Sequence, residues 1–329
     1  MRGLTKLAPG AGNVALAERP LPSPAPGHVV LEVVGAGICG TDLHIFDGEF
    51  SVAPPVTMGH EVSGIVHELG EGVDDDWFGA RVVSETYFST CGRCEWCESG
   101  HRNLCPERRS IGSAVDGAFA LRLHVPVSGL HRIPDWLDGH AAALCEPLAC
   151  VCNALGDPSP VGAADRVLVI GPGPIGLLAA DVARAAGGEI HVRGTPRDEA
   201  RLAKARELGF ETSDGGDCPG FDVVVECSGS EAGITFGLEH ARRRGRYVQI
   251  GIAGRPVKAP LDLVCYRELT VTSGNASTPR SWQRALELVK IRSVNLELLV
   301  SEVVPLEEWE RAFAAVRAAE VVKIVLDPR

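Results

Sequence analysis

The sequence predicts an α/β protein of two parts: a mostly-β domain with long loops, and a doubly wound parallel sheet with crossover helices. Three observations carry that expectation. From Arg166 onward, short β-branched runs alternate with amphipathic helical stretches, the pattern of a parallel sheet covered by helices. Between the first such run, Arg166-Val167-Leu168-Val169-Ile170, and the first such helix stands Gly171-Pro172-Gly173-Pro174-Ile175-Gly176. A GxGxxG placed between strand and helix reads as a dinucleotide fingerprint, whose glycines let backbone N–H groups approach a pyrophosphate. Before Arg166 the texture differs: Pro20, Pro22, Pro24 and Pro26 deny helix, and apolar runs punctuated by Gly and Pro read as strands.

In chain order, strands are expected at His28 to Val34, Val62 to Val66 and Arg81 to Val83. After the fingerprint come a helix to Ala186, a strand at Ile190 to Val192, a helix from Asp198 to Leu208 and a strand at Asp222 to Val225. A helix from Glu231 to Ala241 and strands at Tyr247 to Ile250 and Leu269 to Thr272 complete the sheet. Helices at Trp282 to Ile291 and Glu307 to Ala318 and a strand from Val321 to Leu326 close the chain. No period of about 20 to 50 residues marks a repeat array.

At 329 residues the chain has room for about two domains, each with a sizeable core. Its net charge is −11 and it has no basic run, which speaks against a nucleic-acid surface. No stretch approaches the roughly 20 apolar residues of a membrane span, and Met1-Arg2-Gly3 leads into no signal-peptide core, so a cytoplasmic location is expected. Eleven cysteines in such a compartment point to metal ligation before disulfides.

Two groups of residues carry metal chemistry. Cys39-Gly40-Thr41-Asp42-Leu43-His44 is followed by Met58-Gly59-His60-Glu61, so one thiol, one imidazole and one carboxylate stand close in sequence. That mixed set suits a catalytic zinc that keeps a position open for substrate; taken singly, each residue reads more readily as core. The second group is Cys91, Cys94, Cys97 and Cys105, an all-thiolate set suited to a closed, structural zinc. Two disulfides and a nucleic-acid-binding zinc ribbon are its competing readings, and Glu95, Glu98 and Glu107 speak against the ribbon. Cys145, Cys150, Cys152, Cys218, Cys227 and Cys265 lack a partner pair at zinc spacing and are expected in the core.

Along almost its whole length the chain resembles the zinc-dependent medium-chain dehydrogenase/reductase family, most closely its polyol (sorbitol or L-iditol) and threonine dehydrogenase branches. The resemblance rests on Cys39-Gly40-Thr41-Asp42, Gly59-His60-Glu61, the lobe at residues 91–105, Glu146-Pro147-Leu148 and the turn from Gly171 to Gly176. It implies a GroES-like catalytic domain at residues 1–150 and 281–329, and a Rossmann domain at 151–280. It also implies a zinc site of Cys39, His60 and Glu61, with Glu146 binding directly or through water where the simple alcohol dehydrogenases have cysteine. Thr41 and His44 match the hydroxyl and imidazole that carry the alcohol proton toward solvent. The implied activity is reversible hydride transfer between a secondary alcohol (polyol, sugar, diol or amino alcohol) and NAD(P)+, with two zinc ions per chain in a homodimer or homotetramer. A zinc-binding but non-catalytic relative, or an NADPH quinone reductase, is the alternative. Leu121 and Arg122 depart from the polyol branch, which commonly has an acidic and an aromatic residue there; Phe46, Phe50 and Arg109 lie in or near loops that would shape the substrate pocket.

The cofactor turn, Gly171, Gly173, Pro174, Ile175 and Gly176, leads about 20 residues on to His191-Val192-Arg193-Gly194-Thr195-Pro196-Arg197-Asp198. An NAD site usually has an acid at that strand end; here the nearest, Asp198, is also placed to cap a helix that starts at Thr195. Gly194 is expected to leave room for a 2′-phosphate, Thr195 to donate to it and Arg197 to pair with it, which favours NADP over NAD.

Overall fold

The computed structural model describes residues 1–156, 158–215 and 220–329. The chain divides into two compact units, residues 1–146 with 300–318 and 323–329, and residues 147–299 with 319–322.

In the first unit, strand His28–Gly37 buries Val29, Val30, Leu31 and Val33 and lies at the centre of the main sheet. It pairs antiparallel with Glu61–Leu69, with Arg122–Pro126 and with the last strand, Lys323–Asp327, which runs parallel to Val300–Pro305. The register sets Glu61 opposite Gly37 and Val325 opposite Gly37 on the other side. Three segments remote in sequence, around Cys39, Glu61 and Lys323, therefore meet at one end of the sheet. A smaller sheet joins Val14–Glu18, Arg2–Lys6 and Val56–Thr57.

The stretch after Cys39, for which no helix is expected from the sequence, is a helix, Gly40–Asp47. Its sequence contains the reasons. Cys39 is the extended N-cap, the Asp42 carboxylate accepts the Cys39 backbone N–H at 2.9 Å, and Gly48 ends the helix in the left-handed region at φ 76°. Three apolar residues in eight, Leu43, Ile45 and Phe46, are too few and too closely spaced for a periodic signal strong enough to announce it.

In the second unit six parallel strands among the described residues run in the order Glu211–Ser213, Glu189–Arg193, Arg166–Ile170, Phe221–Glu226, Ala241–Gln249, Thr270–Ser273. Counting from Arg166, that is 3-2-1-4-5-6, the order whose reversal beside the first strand opens a ligand crevice at the strand ends. Leu168, Ile170, Phe221, Val224, Leu238 and Tyr247 share one core cluster beneath helix Glu231–His240.

Helix Pro279–Lys290 differs from expectation. It packs with the second unit rather than the first, because Trp282, Ala285, Leu288 and Val289 form one buried stripe and Asn295 beyond it donates its N–H to Asp181. Residues 147–150 also belong to the second unit.

Of the cysteines expected in the core, Cys145 and Cys152 are buried and Cys150 and Cys227 half-buried. Cys265 is exposed: it sits on the five-residue helix Asp262–Tyr266, which buries no residue. Cys218 lies outside the described residues. No helix among the described residues is long and apolar enough to cross a membrane.

Candidate active site

Sheet register and helix capping bring the first metal group together. Cys39 sits at the helix N-cap, His60 immediately precedes strand Glu61–Leu69, and Glu61 opens that strand. Ligand atoms of these three residues all lie within 4.8 Å of one another. Two glycines make this possible. Gly59 has φ 90° and lies under the Phe119 ring, and a side chain at Gly37 would collide with the Glu61 carboxylate.

Around these donors the charges are arranged as a metal centre requires. Asp42 is fully buried, and its Oδ1 has no hydrogen-bond partner while lying 3.8 Å from His60 Nδ1. A carboxylate behind one imidazole nitrogen fixes the ring and turns the other toward a metal. Burial would lower the His60 pKa, but the Cys39 thiolate, followed by Asp42 and Glu146, raises it well above the ordinary value. The pocket thus attracts positive charge. This donor set fits a zinc ion.

The residue that sequence reasoning missed here is Lys323. Its ammonium reaches both oxygens of Glu61, at 2.8 and 2.7 Å, and the carbonyl of Ile38 at 2.8 Å, with both side chains almost wholly buried. Against a desolvation that would lower it, the Glu61 carboxylate raises the Lys323 pKa above its usual value. The signal was present as the one charge inside Val321-Val322-Lys323-Ile324-Val325-Leu326, since an unpaired ammonium is almost never buried. A carboxylate has about four lone-pair sites, so Glu61 can accept from Lys323 and still face a cation.

Glu146 lies in the first turn of helix Cys145–Ala154, buried but outside the group of ligand atoms within 4.8 Å. Thr41 Oγ1 is 3.7 Å from Cys39 Sγ. His44 lies one turn further along the same helix, half in solvent, with Nδ1 2.6 Å from a Glu49 carboxylate oxygen. Of the residues expected in or near pocket loops, Phe46 packs on Trp309 and Phe313, Phe50 is exposed and Arg109 donates to the Ala114 carbonyl, while Arg122 is tied to Glu32 at 2.8 Å.

The sulfurs of Cys91, Cys94, Cys97 and Cys105 also lie within 4.8 Å of one another, and every described cysteine is a free thiol. The Arg93 N–H draws the Cys91 thiol down to about 7. Cys94 moves the other way: the Cys97 N–H pulls it down, yet burial and its three sulfur neighbours push it up to about 11. Four thiols this close cannot all ionise without a cation between them. The lobe's only α-helix, Glu95–Glu98, buries no residue, and Trp96 and Leu104 are exposed, so little core competes with a metal for holding it together.

At the nucleotide turn, Gly171 has φ 95° and faces the Ser228 backbone, Gly176 packs on the Gly171 carbonyl, and Gly173 borders open space. Pro174 begins helix Pro174–Ala185 and is followed by Ile175, so the first-turn N–H groups of the helix carry no side-chain cap. Such a cradle fits a pyrophosphate.

The neighbouring 2′-phosphate region differs from expectation at two residues. Gly194 is closely packed among Asp198, Pro172 and Leu202 instead of bordering open space. Thr195 donates both its N–H and its hydroxyl to Asp198, at 2.9 and 2.7 Å, so its hydroxyl is already engaged. Arg193 ends its strand with the guanidinium 3.7 Å over Phe236, Arg201 donates to the Val321 carbonyl, and Arg197 is exposed.

Comparison with known proteins follows the same lines. Residues 25–135 match the family described as Alcohol dehydrogenase GroES-like domain, and residues 215–290 the family described as Zinc-binding dehydrogenase. The chain is 38% identical to sorbitol dehydrogenase of Halalkalibacterium halodurans, with 100% of this chain and 99% of that protein covered. It is 32% identical to D-arabitol-phosphate dehydrogenase of Enterococcus avium, covering 99% and 97%. The solved zinc-binding dehydrogenase of Sinorhizobium meliloti 1021 bound to NADP superposes with a TM-score of 0.91 at 33% identity, with 99% of each chain covered. The non-catalytic and quinone-reductase alternatives are not favoured by these relatives. The chain belongs to the zinc-dependent medium-chain alcohol dehydrogenase family and is an NAD(P)-dependent enzyme that interconverts secondary alcohols and ketones.

Proposed function

We propose that the enzyme oxidises a secondary hydroxyl of a polyol or sugar-type alcohol, with Cys39, His60 and Glu61 holding the catalytic zinc and the Glu146 carboxylate standing by as a fourth donor. The observation that carries this reading is the convergence of thiol, imidazole and carboxylate within 4.8 Å at the end of the first unit's sheet. The relatives named for sorbitol and D-arabitol phosphate support the substrate class. When bound, zinc supplies Lewis acidity toward an alcohol oxygen and the nicotinamide supplies the hydride acceptor. The chain's own residues do the rest. Lys323 neutralises Glu61, so the donor set withdraws less of a bound cation's charge than two free anions would. Asp42 orients His60, and Thr41 with His44 conducts the alcohol proton toward water. Cys91, Cys94, Cys97 and Cys105 hold a second, structural zinc.

For the cofactor we propose NADP over NAD. No acid stands at the end of strand Glu189–Arg193, the Asp198 carboxylate is engaged by Thr195, and Arg197 is exposed beside them. The free thiols accord with a cytoplasmic location. A homo-oligomer joined through the open edge of strand Thr270–Ser273 is proposed too, since the strand is exposed along its length and Leu261, Tyr266 and Val271 expose apolar surface beside it. A screen of polyols, sugars, diols and amino alcohols with each nicotinamide tests the assignment. Turnover of a polyol or sugar alcohol with NADP is expected, and turnover confined to simple alcohols would refute the substrate class.

A further inference from the structure

His44 has a partner that the proton path does not yet use. Helix Gly40–Asp47 ends in a tight turn in which the N–H groups of both Glu49 and Phe50 donate to the His44 carbonyl, at 2.9 and 3.3 Å. This turn folds Glu49 back along the helix so that its carboxylate meets His44 Nδ1 at 2.6 Å.

The turn is held from outside the helix. Gly48 adopts φ 76° against the backbone of Gly10 and Ala11, where no side chain fits. The Lys6 ammonium ties the Gly10, Gly12 and Phe46 carbonyls together, and Arg317 grips Asp47 through two bonds of 2.8 and 3.0 Å. The charged groups facing His44 are therefore Glu49 and Asp47 on its own segment, with Arg317 from helix Trp309–Arg317 and Lys6 from strand Arg2–Lys6 behind them. Only Glu49 touches the ring among the described contacts.

We propose that Glu49 is a positioning residue for proton transfer: by accepting the Nδ1–H of His44 it selects the tautomer whose Nε2 is free to take a proton. This rests on the reading that His44 carries the alcohol proton. In the step, the Thr41 hydroxyl takes the proton leaving the alcohol as it gives up its own, and the proton given up passes on to Nε2 of His44. The imidazolium so formed is balanced by the Glu49 carboxylate and releases the Nε2 proton to water. Without Glu49 the ring reverts to the Nε2–H form that a free imidazole prefers, which has no lone pair on the side where the proton arrives. If the pair were merely an exposed ion pair, removing it would change stability slightly and catalysis not at all.

The test uses zinc-loaded enzyme and two readouts, the 15N imidazole spectrum and steady-state kinetics, in wild type, Glu49→Ala, Glu49→Gln, His44→Ala and the His44→Ala/Glu49→Ala double variant. The wild type is expected to show the Nδ1–H tautomer and Glu49→Ala mainly the Nε2–H tautomer. In Glu49→Ala, kcat should fall by up to about fivefold, the fold-change that about 1 kcal/mol of an exposed pair converts to, with KM unchanged and imidazole buffers restoring the rate. Glu49→Gln, which keeps an acceptor, should keep the tautomer and most of the rate, and the double variant should match His44→Ala. An unchanged tautomer or an unchanged kcat in Glu49→Ala, with His44→Ala impaired, overturns the role of Glu49 alone. An unimpaired His44→Ala overturns the proton path and this proposal with it.

Discussion

In the metal-free protein, removing the Lys323 ammonium would leave the Glu61 carboxylate buried without its ion-pair partner, and the cost of that is large compared with any surface contact in the molecule. Lys323→Met is expected to lower the unfolding free energy by about 3 kcal/mol or more in urea titrations of the metal-free protein. A loss below about 1 kcal/mol would mean the pair is not what holds Glu61 in place. A second residue gives a pH signature. Burial would raise the Asp327 pKa, but hydrogen bonds from Arg329 and His140 hold it well below the ordinary 3.8. A depressed carboxylate stabilises the fold above its ordinary pKa and loses that contribution as pH falls through the folded value. The stability gap between wild type and Asp327→Asn should therefore be constant from neutral pH to about 5 and shrink below about 4. A gap that widened on acidification would contradict the pairing. At this scale the sequence was informative where donor type and spacing single out residues that the fold brings together, as at Cys39, His60 and Cys91 to Cys105. It marked Lys323 only as a lone charge in an apolar run and did not reach Glu49, since the partner of each depends on which strand or turn lies opposite.

Elements were legible in proportion to their periodic signal. Arg166–Ile170 and the helix from Pro174 appear where the β-branched run and the glycine turn predict them. Helix Gly40–Asp47 was hidden by its short polar sequence. The strand Val300–Pro305 was also missed, because Ser301-Glu302 followed by Val303-Val304 breaks the apolar–polar alternation that marks a strand. Helix Pro279–Lys290 was recognised as a helix, but its destination depended on what its Trp282 stripe packs against, which no local pattern encodes. Two predictions belong here. Cys94→Ala removes a donor from a lobe with almost no core, so the melting temperature or solubility should fall before turnover does, as thermal denaturation would register. Arg197→Ala should lower kcat/KM with NADP by about tenfold and leave NAD nearly unaffected, the value of one charge-assisted contact. A wild type that prefers NAD would contradict the cofactor assignment.

For the whole molecule, the open edge of the parallel sheet and the apolar surface around Tyr266 and Val271 predict self-association. Sedimentation at micromolar protein should show a dimer or tetramer, and Val271→Lys should shift it toward monomer; a wild type that stays monomeric would rule this out. The central claim concerns two metal sites of different purpose in one chain, an open one for chemistry and a closed one for structure. Zinc content measured alongside turnover tests it most directly. Wild type should contain about two zinc ions per chain, and Cys39→Ala should lose one of them and all turnover while keeping its melting temperature. Fully active protein with one zinc or none, or a Cys39→Ala variant that still oxidises alcohols, would contradict it.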